Sequence, residues 1–192
     1  MIAGCVLAAG RASRFGAPKQ LAELHGRPLL EHVPEAMSQA GLDRVVVVLG
    51  AEADQILDAV VLHGAEPVLC ERWAQGQSAS LASGLAAVQD AEAVVVTLGD
   101  QPGLSPDAVR RVLAARGGHV GAVRATYDGR PGHPVVLERA QIPALRDVTG
   151  DVGARNVITR GVREVACDDL GGGEDVDTPG QLAGLRRAET RR

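Results

Sequence analysis

The sequence predicts an α/β domain of three layers, with a mostly parallel sheet between two sets of helices. Two patterns carry that expectation. Strand-like runs alternate with helical patterns along the chain, and the strand-like runs are apolar at nearly every position. Continuous apolar runs belong to strands covered on both faces, as parallel strands are. The length of 192 residues adds a third constraint. It is enough to bury one proper core, and it predicts a single domain over 1–192, with a charged tail from about 186.

Taken in order, residues 2–7 read as a buried strand that feeds a small-residue loop. Pro28 is placed to open a helix on which Leu29, Leu30, Val33, Ala36, Met37 and Ala40 recur at helical spacing. Pro34 should kink or restart it, and Gly41 ends it. Residues 45–49 form the next buried strand, 52–63 a helix and 67–70 a short strand. A helix follows to Val88 with Ser78 as its expected N-cap, then a strand over 93–98. Ser105 and Pro106 mark another helix start. Residues 120–127 read as a strand, 129–134 as a Gly/Pro turn, 135–137 as a short strand and 151–160 as a helix. A last strand over 163–167 precedes Gly171-Gly172-Gly173, and Thr178-Pro179 opens the terminal helix.

Composition excludes several functions. The net charge is −4, and no basic run is longer than a pair (Arg110-Arg111, Arg186-Arg187 and Arg191-Arg192), so binding to duplex nucleic acid or a membrane by bulk charge is not expected. One Phe, one Trp and one Tyr do not make a stacking platform for single strands. No apolar segment has membrane length, and the first residues already read as strand rather than leader, so a cytoplasmic location is expected. Cys5, Cys70 and Cys167 are far apart and lie in no CxxC pattern, which predicts free buried thiols. His25, His32, His63, His119 and His133 have no zinc-pair spacing.

The chemistry concentrates at strand ends, where open α/β sheets bind ligands. The loop after the first strand carries Ala8, Ala9 and Gly10, small enough for close approach of a ligand, then Arg11, Arg14 and Lys19. Gly10 and Gly16 can adopt backbone angles that other residues resist, and successive N–H groups in such a turn can cradle an anion. Arg14 offers a planar fork to phosphate and Lys19 a mobile point charge. Neither a Walker loop nor GxGxxG is present. Asp100 ends the 93–98 strand; it is either a turn former or a hard oxygen ligand for Mg²⁺. Asp177 and Thr178 compete to cap the last helix, which leaves Asp177 as cap or as a second carboxylate on the same metal. His133 sits between Gly132 and Pro134 as a presented side chain, and Asp151 either caps a helix or faces an acceptor. An anion loop and two strand-end acids suit phosphoryl-type transfer, which needs charge neutralisation and placement more than covalent help.

Five motifs in order resemble the MobA-like nucleotidyltransferases, and within them the molybdenum cofactor cytidylyltransferase branch. They are Ala8-Ala9-Gly10-x-x-x-Arg14-Phe15-Gly16-x-Pro18-Lys19, Gly99-Asp100-x-Pro102, Gly132-His133-Pro134, Gly150-Asp151-x-Gly153-Ala154-Arg155 and Asp175-Val176-Asp177-Thr178-Pro179. The resemblance implies a Rossmann-like nucleotidyltransferase fold. It implies a Mg²⁺-dependent reaction of CTP with a molybdopterin-type acceptor that releases pyrophosphate, and a molybdenum hydroxylase as recipient of the product. By position, Leu7, Ala8, Ala9, Gly10 and Ser80 would contact the nucleotide. Arg14 and Lys19 would hold the triphosphate, Asp100 and Asp177 the Mg²⁺, and His133 and Asp151 would lie on the acceptor side. Gln101, Leu104 and Phe15 depart from the commoner Met, Val and Met of that branch. The alternatives are a guanylyltransferase of the same family using GTP, a cytidylyltransferase of the methylerythritol phosphate type, and a non-catalytic accessory protein. The family's guanylyltransferases usually show Leu-Ala-Gly-Gly where this chain has Leu7-Ala8-Ala9-Gly10.

Overall fold

The computed structural model describes residues 1–10, 15–118, 120–146 and 161–189. Its strands are β1 (Ile2–Leu7), β2 (Glu23–Leu24), β3 (Arg27–Pro28), β4 (Arg44–Leu49), β5 (Glu66–Leu69), β6 (Ala93–Leu98), β7 (Ala122–Tyr127), β8 (Arg130–Glu138) and β9 (Val162–Ala166). Its helices are α1 (His32–Gln39), α2 (Ala53–Ala59), α3 (Gln77–Ala87), α4 (Pro106–Ala114), α5 (Ile142–Arg146) and α6 (Pro179–Glu189).

One seven-stranded sheet, in the order β5-β4-β1-β6-β8-β7-β9, forms the middle layer, and β2 and β3 make a separate small hairpin. Within the large sheet β8 alone runs against its neighbours β6 and β7; the other pairings are parallel. Alternate residues of each central strand feed two different cores. On one face Val6, Val45, Val47, Leu49 and Val95 pack with Val33 and Met37 of α1, Ile56 of α2 and Val109 and Val112 of α4. On the other, Cys5, Val46, Val48, Val94 and Val96 pack with Leu81 and Leu85 of α3 and Leu145 of α5. Covering both faces is why these strands had to be apolar throughout.

The chain runs outward from β1 to β4 and β5, then returns through α3 to lay β6 on the other flank of β1. The carboxyl ends of β1 and β6 therefore flank a topological switch point, where a crevice opens.

Several local expectations change. Ser78 does not cap α3: Gly76 stands at the N-cap with φ 105°, and Ser78 is buried inside the first turn. Pro28 ends the small hairpin and precedes a 3-10 turn over Leu29–Glu31. The helix begins only at His32, so Pro34 falls in the first turn, where a missing N–H costs nothing. The Gly/Pro segment 129–134 is not a turn beyond Gly129; β8 begins at Arg130 and includes the cis peptide His133–Pro134. Gly132 is needed there because a Cβ would meet the Tyr127 ring at 2.9 Å. The helix expected over 151–160 lies outside the described residues. Ser105 caps α4 as expected, accepting from the Asp107 N–H, with Pro106 at the first position. The three cysteines are buried thiols, and burial pushes Cys5 up to about 12.

Helix α3 presses so closely on the sheet that a Cβ at Gly84 would collide with the Cys5 sulfur and come within 2.9 Å of Val48 Cγ2. Gly84→Ala should lower stability by about 1–3 kcal/mol in urea unfolding, as overpacked cores do, despite the ~1 kcal/mol that Ala gains over Gly in a helix. An unchanged or raised midpoint would contradict this packing.

Candidate active site

A cleft of about 560 Å³ opens at the switch point. One wall is the end of β1, Leu7 through Gly10; the facing wall is Leu98, Gly99 and Asp100 at the end of β6. Lys19 and Gln20 close one side, and Trp73 through Gln77 with Ser80 of α3 close the other. The small residues allow close approach of the two strand ends: a Cβ at Gly99 would stand 2.8 Å from the Ala8 Cβ. Gly16 adopts a left-handed φ of 71°, as its role in the loop requires. Gly10 does not, and among the described residues a Cβ there would meet nothing within 4 Å.

The reactive feature is an ammonium held by two acids. Lys19 Nζ donates to Asp100 Oδ2 at 2.5 Å and to Asp177 Oδ1 at 3.0 Å. Lys19 and Asp100 are each 18% exposed, while Asp177 is nearly half exposed. Burial by itself would lower the Lys19 pKa, but the charges and hydrogen bonds of Asp100 and Asp177 outweigh it, so the ammonium is held above its ordinary value.

Local structure brings these three residues together across 158 positions of sequence. A 3-10 turn, Lys19–Leu21, follows Pro18, and the buried Gln20 amide ties that turn to the β1 loop by donating to Ala8 O at 2.8 Å and Gly10 O at 3.2 Å. A small third core of Leu24, Leu29, Val176 and Leu182, with Phe15 against it, fastens the C-terminal strap to the segment that carries Lys19. Val176 is fully buried, and its N–H donates to Asp100 O at 2.9 Å. The competition for the last helix cap is resolved by a capping box: the Gln181 N–H donates to Thr178 Oγ1 at 3.2 Å, and Gln181 Oε1 accepts from the Thr178 N–H at 2.9 Å and the Asp177 N–H at 2.8 Å. With Thr178 as cap, the Asp177 carboxylate is left for Lys19.

A second polar clamp backs the first. The Gln101 amide donates to Asp175 Oδ1 at 2.6 Å. Desolvation pushes the Asp175 carboxyl upward; the Gln101 hydrogen bond opposes this, and the nearby Asp100 and Asp177 charges add to it. Asp100 Oδ1 and Gln101 Oε1 are buried and have no hydrogen-bond partner. Among the described residues no group of three or more His, Cys, Asp or Glu is arranged to cage a metal ion. A Mg²⁺-type site does not need such a cage, because one or two carboxylates plus substrate phosphates suffice. The unpartnered Asp100 oxygen beside Asp177 fits that donor set.

Of the residues singled out in the sequence, Leu7, Ala8, Ala9, Gly10, Lys19, Ser80 and Asp100 line the cleft, and Asp177 reaches it through Lys19. His133 lies on β8, two residues beyond the Val96–Val135 pair, at the same edge of the sheet, and its carbonyl accepts from Tyr127 Oη at 3.0 Å. Arg14 and Asp151 lie outside the described residues. Sequence reasoning missed Gln20 as the brace of the β1 loop, the Gln101–Asp175 clamp, and Trp73. The only signal for Trp73 was that it is the chain's one tryptophan.

Residues 4–165 match the family model of the MobA-like NTP transferase domain, and the chain belongs to that family of nucleotidyltransferases. It is 36% identical over 192 residues to nicotine blue oxidoreductase of Paenarthrobacter nicotinovorans, covering 94% of each chain. It is 36% identical over 135 residues to 3-deoxy-manno-octulosonate cytidylyltransferase of Anaeromyxobacter dehalogenans, covering 68% of this chain and 54% of that one. The crystal structure of Rv0371c from Mycobacterium tuberculosis superposes with a TM-score of 0.87 at 34% identity over 97% of each chain. The same protein has been solved in complex with manganese; that structure gives a TM-score of 0.83 at 32% identity, over 97% of this chain and 98% of the other.

Gln101→Leu removes the buried donor of the hydrogen bond to the exposed Asp175 carboxylate and should cost about 0.5–1.5 kcal/mol. Hydrogen exchange at the Val176 amide should speed up in that variant, while Asp175→Asn, which keeps the acceptor, should stay near wild type. Equal exchange in Gln101→Leu and wild type would show that the strap is held by Val176 alone.

Proposed function

We propose that this protein is a Mg²⁺-dependent nucleotidyltransferase that transfers CMP from CTP to a phosphorylated acceptor of the molybdopterin type. The observation that carries the reading is Lys19 Nζ lying between Asp100 and Asp177 at the switch-point cleft, with one Asp100 oxygen left unpartnered. That is one mobile cation and two hard oxygen donors beside a loop small enough to admit a nucleotide. Asp100 and Asp177 would hold the Mg²⁺, which when bound neutralises phosphate charge. Lys19 releases the carboxylates and moves to the triphosphate, with Arg14 on the same phosphates. A terminal phosphate oxygen of the acceptor attacks the α-phosphorus, the bond to the bridging oxygen of the β-phosphate breaks, and pyrophosphate carries the electron pair away. Leu7, Ala8, Ala9, Gly10 and Ser80 line the nucleotide's place, and His133 and Asp151 face the acceptor.

The Leu7-Ala8-Ala9-Gly10 loop favours cytosine, because one added Cβ beside the base changes the depth of its pocket. The cytidylyltransferase relative supports the same base, and the manganese complex supports a divalent ion. The reading takes residues 1–192 as one domain working in the cytoplasm and passing its product to a molybdenum hydroxylase. No described helix is long and apolar enough to cross a membrane. A second reading, redox turnover in the same cleft, is favoured by the full-length likeness to nicotine blue oxidoreductase.

Calorimetric titration with CTP, GTP, ATP and UTP, each with Mg²⁺, should give the tightest binding for CTP. Preference for GTP moves the assignment to guanylyl transfer, and redox turnover of nicotine blue with an added electron donor or acceptor, without binding of any of the four nucleotides, favours the redox reading. Asp100→Ala should abolish metal-dependent turnover while circular dichroism stays native; normal turnover would remove Asp100 from the reaction. Lys19→Ala should weaken CTP far more than CMP, and equal loss for both would count against a role on the outer phosphates.

A further inference from the structure

The chain has one Phe, one Tyr and one Trp, and only the last lines the cleft. Phe15 packs on the small third core. Tyr127 is spent beside Gly132 and Gly173, whose missing side chains make room for its ring. Trp73 is half in and half out of the structure: it packs against the core that includes Val48 and Cys70, yet it also forms part of the cleft wall.

Its seat is built. Trp73 opens a 3-10 turn, Trp73–Gln75, whose ends are tied by hydrogen bonds from the Trp73 N–H to Cys70 O and from the Gly76 N–H to Trp73 O, each at 3.2 Å. The root of the side chain rests on Gly50 at the end of β4. A Cβ on Gly50 would collide with the Trp73 Cβ, and would come within 2.6 Å of its Cγ and 2.7 Å of Ala9 O. Gly50 has no left-handed φ to explain it. The constraint there is space, and the indole and the β1 loop define it.

The sheet order converts this seat into a position along a ligand. Trp73 stands over the end of β4, Ala8 to Gly10 over the end of β1, and Asp100 over the end of β6, and these strands are successive neighbours. At about 4.8 Å per strand, β4 and β6 are roughly 10 Å apart. That is comparable to the distance from the base of a nucleoside triphosphate to its phosphates. With the Lys19 and Asp100 charges at the β6 end, the ring of the ligand falls at the β4 end, against small residues on one side and an indole on the other.

We propose that Trp73 is a base-recognition residue, the wall on which the planar base of the bound nucleotide stacks, and that Gly50 is the residue that seats it. The inference rests on the nucleotide-transfer reading and adds the element that binds the ring. A heteroaromatic ring brought by the acceptor shares the same chemistry, and the test separates the two.

The single tryptophan makes the test direct. The protein is titrated with CTP, GTP, tripolyphosphate and pterin-6-carboxylate, the phosphates each with Mg²⁺, by tryptophan fluorescence and by calorimetry in parallel. Nucleotide should quench Trp73 saturably at the calorimetric midpoint, and tripolyphosphate should bind without quenching. By calorimetry, Trp73→Leu should weaken nucleotide on the order of 10- to 100-fold, the range that base stacking supplies. It should leave tripolyphosphate unchanged, and Trp73→Phe should recover most of the loss. Nucleotide heat with silent emission, or wild-type affinity in Trp73→Leu, overturns the assignment. Quenching by the pterin alone gives the ring to the acceptor and also overturns it. Loss of tripolyphosphate together with nucleotide in both variants makes Trp73 structural. No heat from any nucleotide in the wild-type protein removes the nucleotide reading itself, and this proposal with it.

Discussion

The Lys19 ammonium, caught between Asp100 and Asp177, is the interaction on which the rest of this structure depends. Like charges crowd the end of β6: the charges of Asp100 and Asp177 both bear on Asp175 there. Without a cation, bringing a C-terminal acid onto the end of a central strand would be opposed by repulsion and by loss of water. Lys19 offsets both. It holds the two carboxylates at hydrogen-bond distance.

That arrangement is costly unless the backbone enforces it, and the fold does so from three directions. Gln20 braces the β1 loop from beneath, so that Lys19 projects from a fixed turn. Val176 enters the third core between two acids, which turns Asp175 and Asp177 to a common polar environment. The Thr178–Gln181 capping box satisfies the helix start without using an aspartate. Each device is ordinary; together they convert a small apolar cluster into the placement of an acid 158 residues away from its lysine. Transfer between phosphates asks little else of a protein than such placed charge.

The central strands were legible because burial on both faces leaves no choice of side chain, and Ser105-Pro106 announced its helix by cap chemistry alone. Strand β8 was not legible over 130–134. Pro131, Gly132 and Pro134 look like turn punctuation, yet Gly132 is there to make room for the Tyr127 ring, a contact no local pattern encodes. Ser78 looked like a cap, but Gly76 reaches a backbone angle that Ser would resist, and it took the position. At the site, Lys19, Asp100 and Asp177 stood out as charges at strand or helix ends. Their mutual pairing did not, and neither did the Gln101–Asp175 clamp, because both depend on a strap folding back across the sheet edge. Gly50 looks like any glycine that follows a strand; its reason is the Trp73 side chain packed on it.

On the proposed function, Lys19 exchanges partners when substrate enters. Anomalous diffraction from a crystal grown with Mn²⁺ and a non-hydrolysable CTP analogue tests it most directly. One anomalous peak should appear, bound by Asp100 and Asp177, with Lys19 Nζ moved off both carboxylates and onto phosphate oxygens. A nucleotide bound in the cleft with the Lys19–Asp100–Asp177 contacts intact, and the metal held elsewhere, would contradict it.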